Sequence, residues 1–283
     1  MKAAAFDYMR AHSLEQVFEA FAAHGQDARI LAGGQSLVPI LNLRMAEPKL
    51  LVDITGIAAL RGITETPAGL RIGALVRHVE LLRDSRVAAL APLIARAVPH
   101  VAHAAIRNRG TIGGSLALSD PAAEYPPVAL VSGAVLHLHG PAGRRDVAAG
   151  DFFRGIYDTA LQTGELIEAV TIPPPPPGTV HDLQELARRH GDYAIIGLVL
   201  RCRVEAGRVR DLRASFINGG SVPALLRRAA AAAEGLTPAD AADAAASAVA
   251  DDIDLPSDLQ ASAAMRLHLG RVLLRRSLRR LAA

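Results

Sequence analysis

Two short stretches carry the chemistry this sequence offers most openly. Gly33-Gly34-Gln35-Ser36 and Gly113-Gly114-Ser115 each set two glycines and a small hydroxyl behind a short apolar run. Paired glycines admit backbone dihedrals closed to other residues. Successive N–H groups can then converge into a concavity that holds an anion. A helical turn after such a bend adds free N–H groups and the positive end of its dipole. The hydroxyls of Ser36, Thr111 and Ser115 can donate as well. Two bends meeting from opposite sides would grip a pyrophosphate with neither lysine nor metal. Gly-Gly-Ser turns also occur as plain loops or helix caps. A third, Gly219-Gly220-Ser221, stands further along the chain, so the tripeptide alone decides nothing.

Other chemistries are harder to place. The sequence has no Gly-x-Gly-x-x-Gly fingerprint and no Walker A. Gly113 to Ala117 misses the nucleophile-elbow pattern. His100 and His103 have helical spacing, but no third ligand stands near them, and two ordinary histidines are the simpler reading. The single Cys202 excludes an internal disulfide, a cysteine-ligated zinc and an iron–sulfur cluster held by this chain alone. With 31 basic and 28 acidic side chains the net charge is +3, a weak argument for nucleic acid. Aromatics are 4% and tryptophan is absent, which disfavours base-stacking platforms. No apolar signal segment opens the sequence, and the charge-free stretch Tyr125–Ala142 is too short and too broken by proline to span a bilayer. A cytoplasmic protein with no membrane span is the expectation.

The bends need elements to hold them. At 283 residues a second core becomes favourable, so two lobes are expected. Leu14, Val17, Phe18 and Phe21 have helical spacing behind Ser13, a plausible N-cap. Arg29–Leu31 and Lys49–Ile54 read as strands, and the order helix, strand, glycine bend, strand suggests a small βαβ unit. Leu70–Ala74 reads as a strand, Val79–Leu82 as the start of a helix, and Ala88–Val101 as one helix. Val128–His139 reads as a buried strand, and Val147–Phe153 and Leu166–Ile172 complete the first lobe. Five consecutive prolines, Pro173–Pro177, cannot join a central strand or a helix. They mark a boundary, giving domains 1–176 and 177–283. Beyond it, Ala194–Cys202 and Arg210–Ile217 read as antiparallel strands. The alanine-rich segments Arg227–Glu234 and Ala239–Val249 follow, then an amphipathic helix over Met265–Leu281, whose Arg stripe reads as a solvated face.

Taken together, several motifs resemble one family. Ala32-Gly33-Gly34-Gln35-Ser36-Leu37-Val38-Pro39, Leu51-Val52-Asp53-Ile54, Ile106-Arg107-Asn108 leading into Thr111-Ile112-Gly113-Gly114-Ser115, Asp120-Pro121-Ala122-Ala123-Glu124, Gly164-Glu165-Leu166-Ile167 and Gly191-Asp192-Tyr193-Ala194 stand in its order. The chain resembles the FAD-binding medium subunit of the molybdenum hydroxylases, of the carbon monoxide dehydrogenase and bacterial xanthine dehydrogenase type. That resemblance implies an α+β fold: a two-lobed FAD-binding domain of the vanillyl-alcohol oxidase-like (PCMH) type, then a small C-terminal domain of antiparallel sheet plus helices. It implies that Ala32, Gly33, Gly34, Gln35, Ser36 and Leu37, with Thr111, Ile112, Gly113, Gly114 and Ser115, cradle the FAD pyrophosphate. Glu124 falls near the ribityl chain and ring, Leu166 and Ile167 near the adenine or ring, and Tyr193 against the isoalloxazine face. Arg188 and Arg189 fall in the segment that approaches from the second lobe. Two departures stand out: Ser115 where relatives often carry Asn, and Gln184 where some carry Lys. The resemblance further implies partner chains, a molybdopterin-binding large subunit and a small subunit with [2Fe–2S] clusters, assembled as a dimer of heterotrimers. No side chain here would then be catalytic toward the substrate, and no metal would bind. A stand-alone FAD oxidase of related fold is the alternative.

Overall fold

The computed structural model describes residues 2–281. The first unit alternates strand and helix: β1 (Asp7–Arg10), α1 (Leu14–His24), β2 (Ala28–Leu31), α2 (Leu37–Asn42) and β3 (Leu50–Asp53). Its three strands are parallel in the order β1-β3-β2, as helical crossovers require. Ser13 caps α1, its hydroxyl accepting from the Gln16 amide at 3.4 Å, and Leu14, Val17 and Ala20 bury the helix against the sheet. β1 escaped the sequence reading because it is an edge strand with mostly exposed side chains, which leaves no apolar alternation to detect.

The second unit holds β4 (Ile63–Thr66), β5 (Gly69–Gly73), α3 (His78–Arg83), α4 (Ser85–Leu90), α5 (Pro92–Ala97), α6 (Ala104–Arg107), α7 (Ile112–Leu118), α8 (Tyr125–Ser132), β6 (Val135–Gly140), β7 (Gly143–Ala148), α9 (Ala149–Phe152), a short hairpin of β8 (Phe153–Gly155) and β9 (Asp158–Thr159), and β10 (Leu166–Ile172). Strands β4-β5-β10-β6-β7 form an antiparallel sheet, and the helices cover its core.

Two expected elements are corrected here. Ala88–Val101 is not one helix, because Ala91 breaks the pattern and Pro92 restarts it at the first position of α5. Val128–His139 is not one strand either: its first half belongs to α8 and its second to β6. Pro126 and Pro127 sit in the first turn of α8, where no amide is needed, and Gly133 ends the helix in the left-handed conformation at φ 71°. Seven of the eight α8 residues, Tyr125 to Val131, are buried, so the helix has no polar face and its periodicity is invisible.

After the proline run comes β11 (Thr179–Leu186), β12 (Ile196–Glu205) and β13 (Arg208–Ile217), an antiparallel sheet in that order. α10 (Arg227–Ala233), α11 (Pro238–Ala248) and α12 (Ala263–Arg280) complete the chain. One sheet face, with Leu198, Leu200 and Phe216, packs on these helices. The other, with Leu183, Val199 and Ile217, joins the core of the second unit. The Arg stripe of α12 is not wholly solvated. Arg266 is fully buried, donating to the Ile195 carbonyl at 2.6 Å and to Asp258 at 2.5 Å. No helix among the described residues is long and apolar enough to cross a membrane.

Candidate functional site

The two glycine bends, about eighty positions apart, lie side by side. Gly33 packs so closely on the Arg109–Gly110 turn that a Cβ there would collide with the Arg109 carbonyl. A Cβ on Gly114 would stand 4.0 Å from that of Ala32. β2 delivers the first bend and α2 carries it away, so Gly33–Ser36 sit at the C-terminal end of a parallel strand, where such sheets bind ligands. Gly34 takes φ 72°, the conformation that turns consecutive amides toward one point. Among the described residues the backbone N–H groups of Gly33, Gly34, Gln35, Ser36 and Leu37 have no protein acceptor. The Gln35 side chain braces the bend from behind, donating to the Gly33 carbonyl at 2.9 Å.

The second bend works differently from the sequence expectation. Thr111 is the N-cap of α7, and Gly113 and Gly114 lie in its first turn, neither with positive φ. Its amides are already committed. Ile112 donates to Val76, Gly113 to Ala74 and Ser115 to the Thr111 carbonyl, while Gly114 donates to the Thr111 hydroxyl at 3.1 Å. Two facing amide nests are therefore not present. The first bend supplies free amides; the second supplies a glycine surface at Gly114 and the Ser115 hydroxyl. Gly113 is glycine because α7 presses on Ala74, whose Cβ would lie 2.5 Å from an added Cβ.

Beside the bends the two domains meet. Glu124 is the buried N-cap residue of α8. Tyr193 reaches over from the loop before β12, is 60% exposed, and has the Asp120 carboxylate and Tyr157 as neighbours. A face of aromatic ring is thus open beside Glu124. The loop is seated by Gly191, where an added Cβ would lie 2.5 Å from the His103 ring. Leu166 and Ile167 are buried in two different cores, the first with α1 and β3, the second under α5 and α8. Arg188 and Arg189 are exposed. Gln184 faces away from the site, donating to Ser277 of α12 at 2.5 Å, so its identity does not set the charge there. The neighbouring Glu185 alternates to the opposite face and does.

Sequence reasoning missed Glu185. Its side chain is 4% exposed and neither oxygen has a hydrogen-bond partner, although His100 Nδ1 lies 3.2 Å away. Nothing in a lone Glu within a strand announces this; only the packing of the two domains creates it. His78 and Tyr125 were also missed. They are buried together, Tyr125 Oη 3.1 Å from His78 Nδ1, directly behind Gly110, where an added Cβ would lie 2.6 Å from His78.

Two family models cover almost the whole chain. Residues 4–175 match the FAD binding domain in molybdopterin dehydrogenase, and residues 181–281 match the CO dehydrogenase flavoprotein C-terminal domain. The chain belongs to the FAD-binding medium subunits of the molybdenum hydroxylases. The carbon monoxide dehydrogenase medium chain of Afipia carboxidovorans is 36% identical, covering 98% of this chain and 97% of that one. The nicotine 6-hydroxylase medium subunit of Paenarthrobacter nicotinovorans is 35% identical over 98% of both. Among solved structures, a carbon monoxide dehydrogenase from Hydrogenophaga pseudoflava superposes with TM-score 0.94 at 33% identity, over 98% of this chain and 96% of that one. This medium subunit is an oxidoreductase component, and its fold is the expected FAD-binding domain followed by an α+β flavoprotein domain. The free amides of Gly33–Leu37 suit the diphosphate of that cofactor: each charge-assisted bond contributes roughly 1.5–3 kcal/mol.

The buried carboxyls of this medium subunit give it a pH signature. Burial, and then the neighbouring Glu185, push Glu124 up to about 8, and burial pushes Glu185 up to about 7. Both ionise near 4.5 once unfolded. The native chain therefore holds more protons between those values, and stability falls as pH rises through that window. His78 has the opposite sign: burial, and then Arg107, lower it from 6.5 to about 4. Its contribution is present above the unfolded value and is lost as pH falls toward 4. Melting temperature of the FAD-free protein, followed between pH 4.5 and 8, should decline less steeply on the alkaline side in Glu185→Gln. Parallel curves for the two proteins would contradict the assignment.

Proposed function

We propose that this chain is the FAD-carrying electron-transfer subunit of a multi-subunit molybdenum hydroxylase, taking electrons from [2Fe–2S] clusters of a small partner subunit and delivering them to an external acceptor. The reading is carried by the row of unpartnered amides from Gly33 to Leu37, held against the Arg109–Gly110 turn with Gly114 and Ser115 alongside. These amides hold the FAD diphosphate, and the Ser115 and Ser36 hydroxyls donate to it. Ala32 and Gly114 supply a surface without side-chain bulk, while Thr111, Ile112 and Gly113 fix α7 in place behind it. Tyr193 lies against the isoalloxazine, which suits an aromatic ring with a polar edge. Glu124 lines the ribityl and ring edge, with Leu166 and Ile167 as apolar backing. When bound, FAD supplies the conversion between single-electron donors and a two-electron or one-electron acceptor.

The assembly is a dimer of heterotrimers in the cytoplasm, with a molybdopterin-binding large subunit that selects the substrate. This is supported by the variety among relatives so similar to this chain, whose names include carbon monoxide, nicotine, caffeine and glyceraldehyde enzymes. Isolation of the native complex should recover a molybdenum chain and an iron–sulfur chain. A lone chain with full dehydrogenase activity would establish the stand-alone oxidase instead. Tyr193→Ala should alter flavin fluorescence and reduction while FAD affinity falls by roughly 5-fold to 150-fold, since base-type stacking contributes about 1–3 kcal/mol. Wild-type fluorescence and reduction in that variant would remove Tyr193 from the ring.

A further inference from the structure

At the far end of α8, about 12 Å from Glu124 by helical rise, the two domains leave a second cavity of about 280 Å³. Leu90, Leu93, Ile172 and the prolines 173–176 form its apolar wall. Its polar wall is a row across the C-terminal sheet. His181 on β11 is paired with Arg201 on β12, and Arg201 is paired with Arg213 on β13. All three line the cavity.

Arg201 and Arg213 are two cations directly opposite one another on neighbouring strands, and such a cross-strand pair is destabilising. Burial sharpens the cost. Arg201 is 9% exposed, and Arg213 and His181 are half-buried. Protein compensation is partial. Arg201 Nε donates to the Val131 carbonyl at 3.0 Å, and Arg213 donates to the Leu130 carbonyl at 3.2 Å. Both bonds cap the C-terminus of α8, a site that favours cations. Among the described residues the only carboxylate within reach of Arg201 is Asp211 at 3.9 Å, beyond hydrogen-bond length and half-exposed. Burial first, and the Arg201 charge next, lower both His181 and Arg213; Arg96 adds to the first and Arg227 to the second, while Asp211 partly offsets the shift at Arg213. A site with two anchored guanidinium groups, little counter-charge and an apolar wall has the chemistry of an amphipathic anion pocket.

We propose that this cavity binds a small organic carboxylate, its oxygens on Arg201 and Arg213 and its apolar body against Leu93, Ile172 and the proline run. Because the walls come from both domains and from the segment joining them, the ligand ties the domains together. The anchoring arginines lie on the same sheet face as Glu185 but at the other end of α8, so the site is separate from the flavin site.

The test uses the full chain loaded with FAD, titrated by calorimetry with benzoate and, separately, with inorganic phosphate. Benzoate is expected to bind with a millimolar or tighter dissociation constant and to raise the melting temperature. Arg213→Gln is expected to weaken benzoate at least tenfold with unchanged FAD content. Removal of one repelling charge favours folding of that variant, and Leu90→Asp, which puts a carboxylate on the half-buried part of the apolar wall, provides a second route to the same loss. No benzoate binding by the wild-type chain at 20 mM (on the order of the weakest specific sites) overturns the proposal. Phosphate binding as tightly as benzoate, or benzoate binding indifferent to both variants, overturns it too. If the chain binds neither probe but Arg213→Gln impairs assembly of the complex, the carboxylate belongs to a partner side chain, and the small-molecule site is refuted.

Discussion

Gly114→Asp is expected to lower FAD affinity by about 100-fold to 1000-fold while leaving the protein folded. The new carboxylate would project from the first turn of α7 toward Ala32, 4.0 Å from an added Cβ, into the surface facing the free amides. Two like charges about 4 Å apart near a protein surface repel by roughly 4 kcal/mol, and each 1.4 kcal/mol is about tenfold in affinity. The fold should tolerate the change. The only tight contact is the Thr111 hydroxyl at 3.0 Å, a side chain that can shift by a few tenths of an ångström. An acidic residue in the first turn of a helix is favourable by about 0.3–1 kcal/mol. Equilibrium dialysis or flavin fluorescence quenching reads the affinity, and circular dichroism confirms the fold. Wild-type affinity in a folded Gly114→Asp protein would separate α7 from the cofactor.

Its neighbour should behave in the opposite way. Gly113→Ala is expected to destabilise the FAD-binding domain by about 1–3 kcal/mol, or roughly 2–4 °C of melting temperature per kcal/mol for a domain of this size. The added methyl would meet the Ala74 Cβ at 2.5 Å, its carbonyl at 2.7 Å and its Cα at 2.8 Å. This is backbone and a methyl group at the end of β5, none of which can swing aside. Yet Gly113 is buried and offers no free amide, so at a temperature where the variant is folded its FAD affinity should stay close to wild type. The pair of variants thus separates two reasons for adjacent glycines: one leaves space for a ligand, the other lets a helix touch a strand. A reversed result, with Gly113→Ala stable but unable to bind FAD, would put Gly113 in the site.

The sequence was most legible where local rules and tertiary packing agree. Ser13 and the apolar spacing behind it mark α1, and the proline run interrupts every periodic pattern around it. β12 announces itself by the apolar run Ile196–Leu200 and β13 by the apolar end Ala214–Ile217. It was least legible where packing overrides pattern. α8 is apolar all round, so a helix and a buried strand read alike, and its proline pair serves as its first turn. Arg266 looked like one more solvated arginine on α12, but the Ile195 carbonyl and Asp258 draw it inside.

By itself, the sequence determined which family this chain joins, because motif order and spacing survive without coordinates. One cysteine is also too few for this chain alone to ligate an iron–sulfur cluster. Only the tertiary structure decided how the bends divide their labour. Whether an amide is free depends on which carbonyls lie across from it, and Val76 and Ala74 silence the second bend from a strand end some forty residues earlier. Likewise Glu185 is buried against His100 of the other domain, and Arg201 and Arg213 meet each other and the Val131 and Leu130 carbonyls only once the sheet is paired and packed on α8. Burial and pairing are properties of neighbours in space, and residue type records neither.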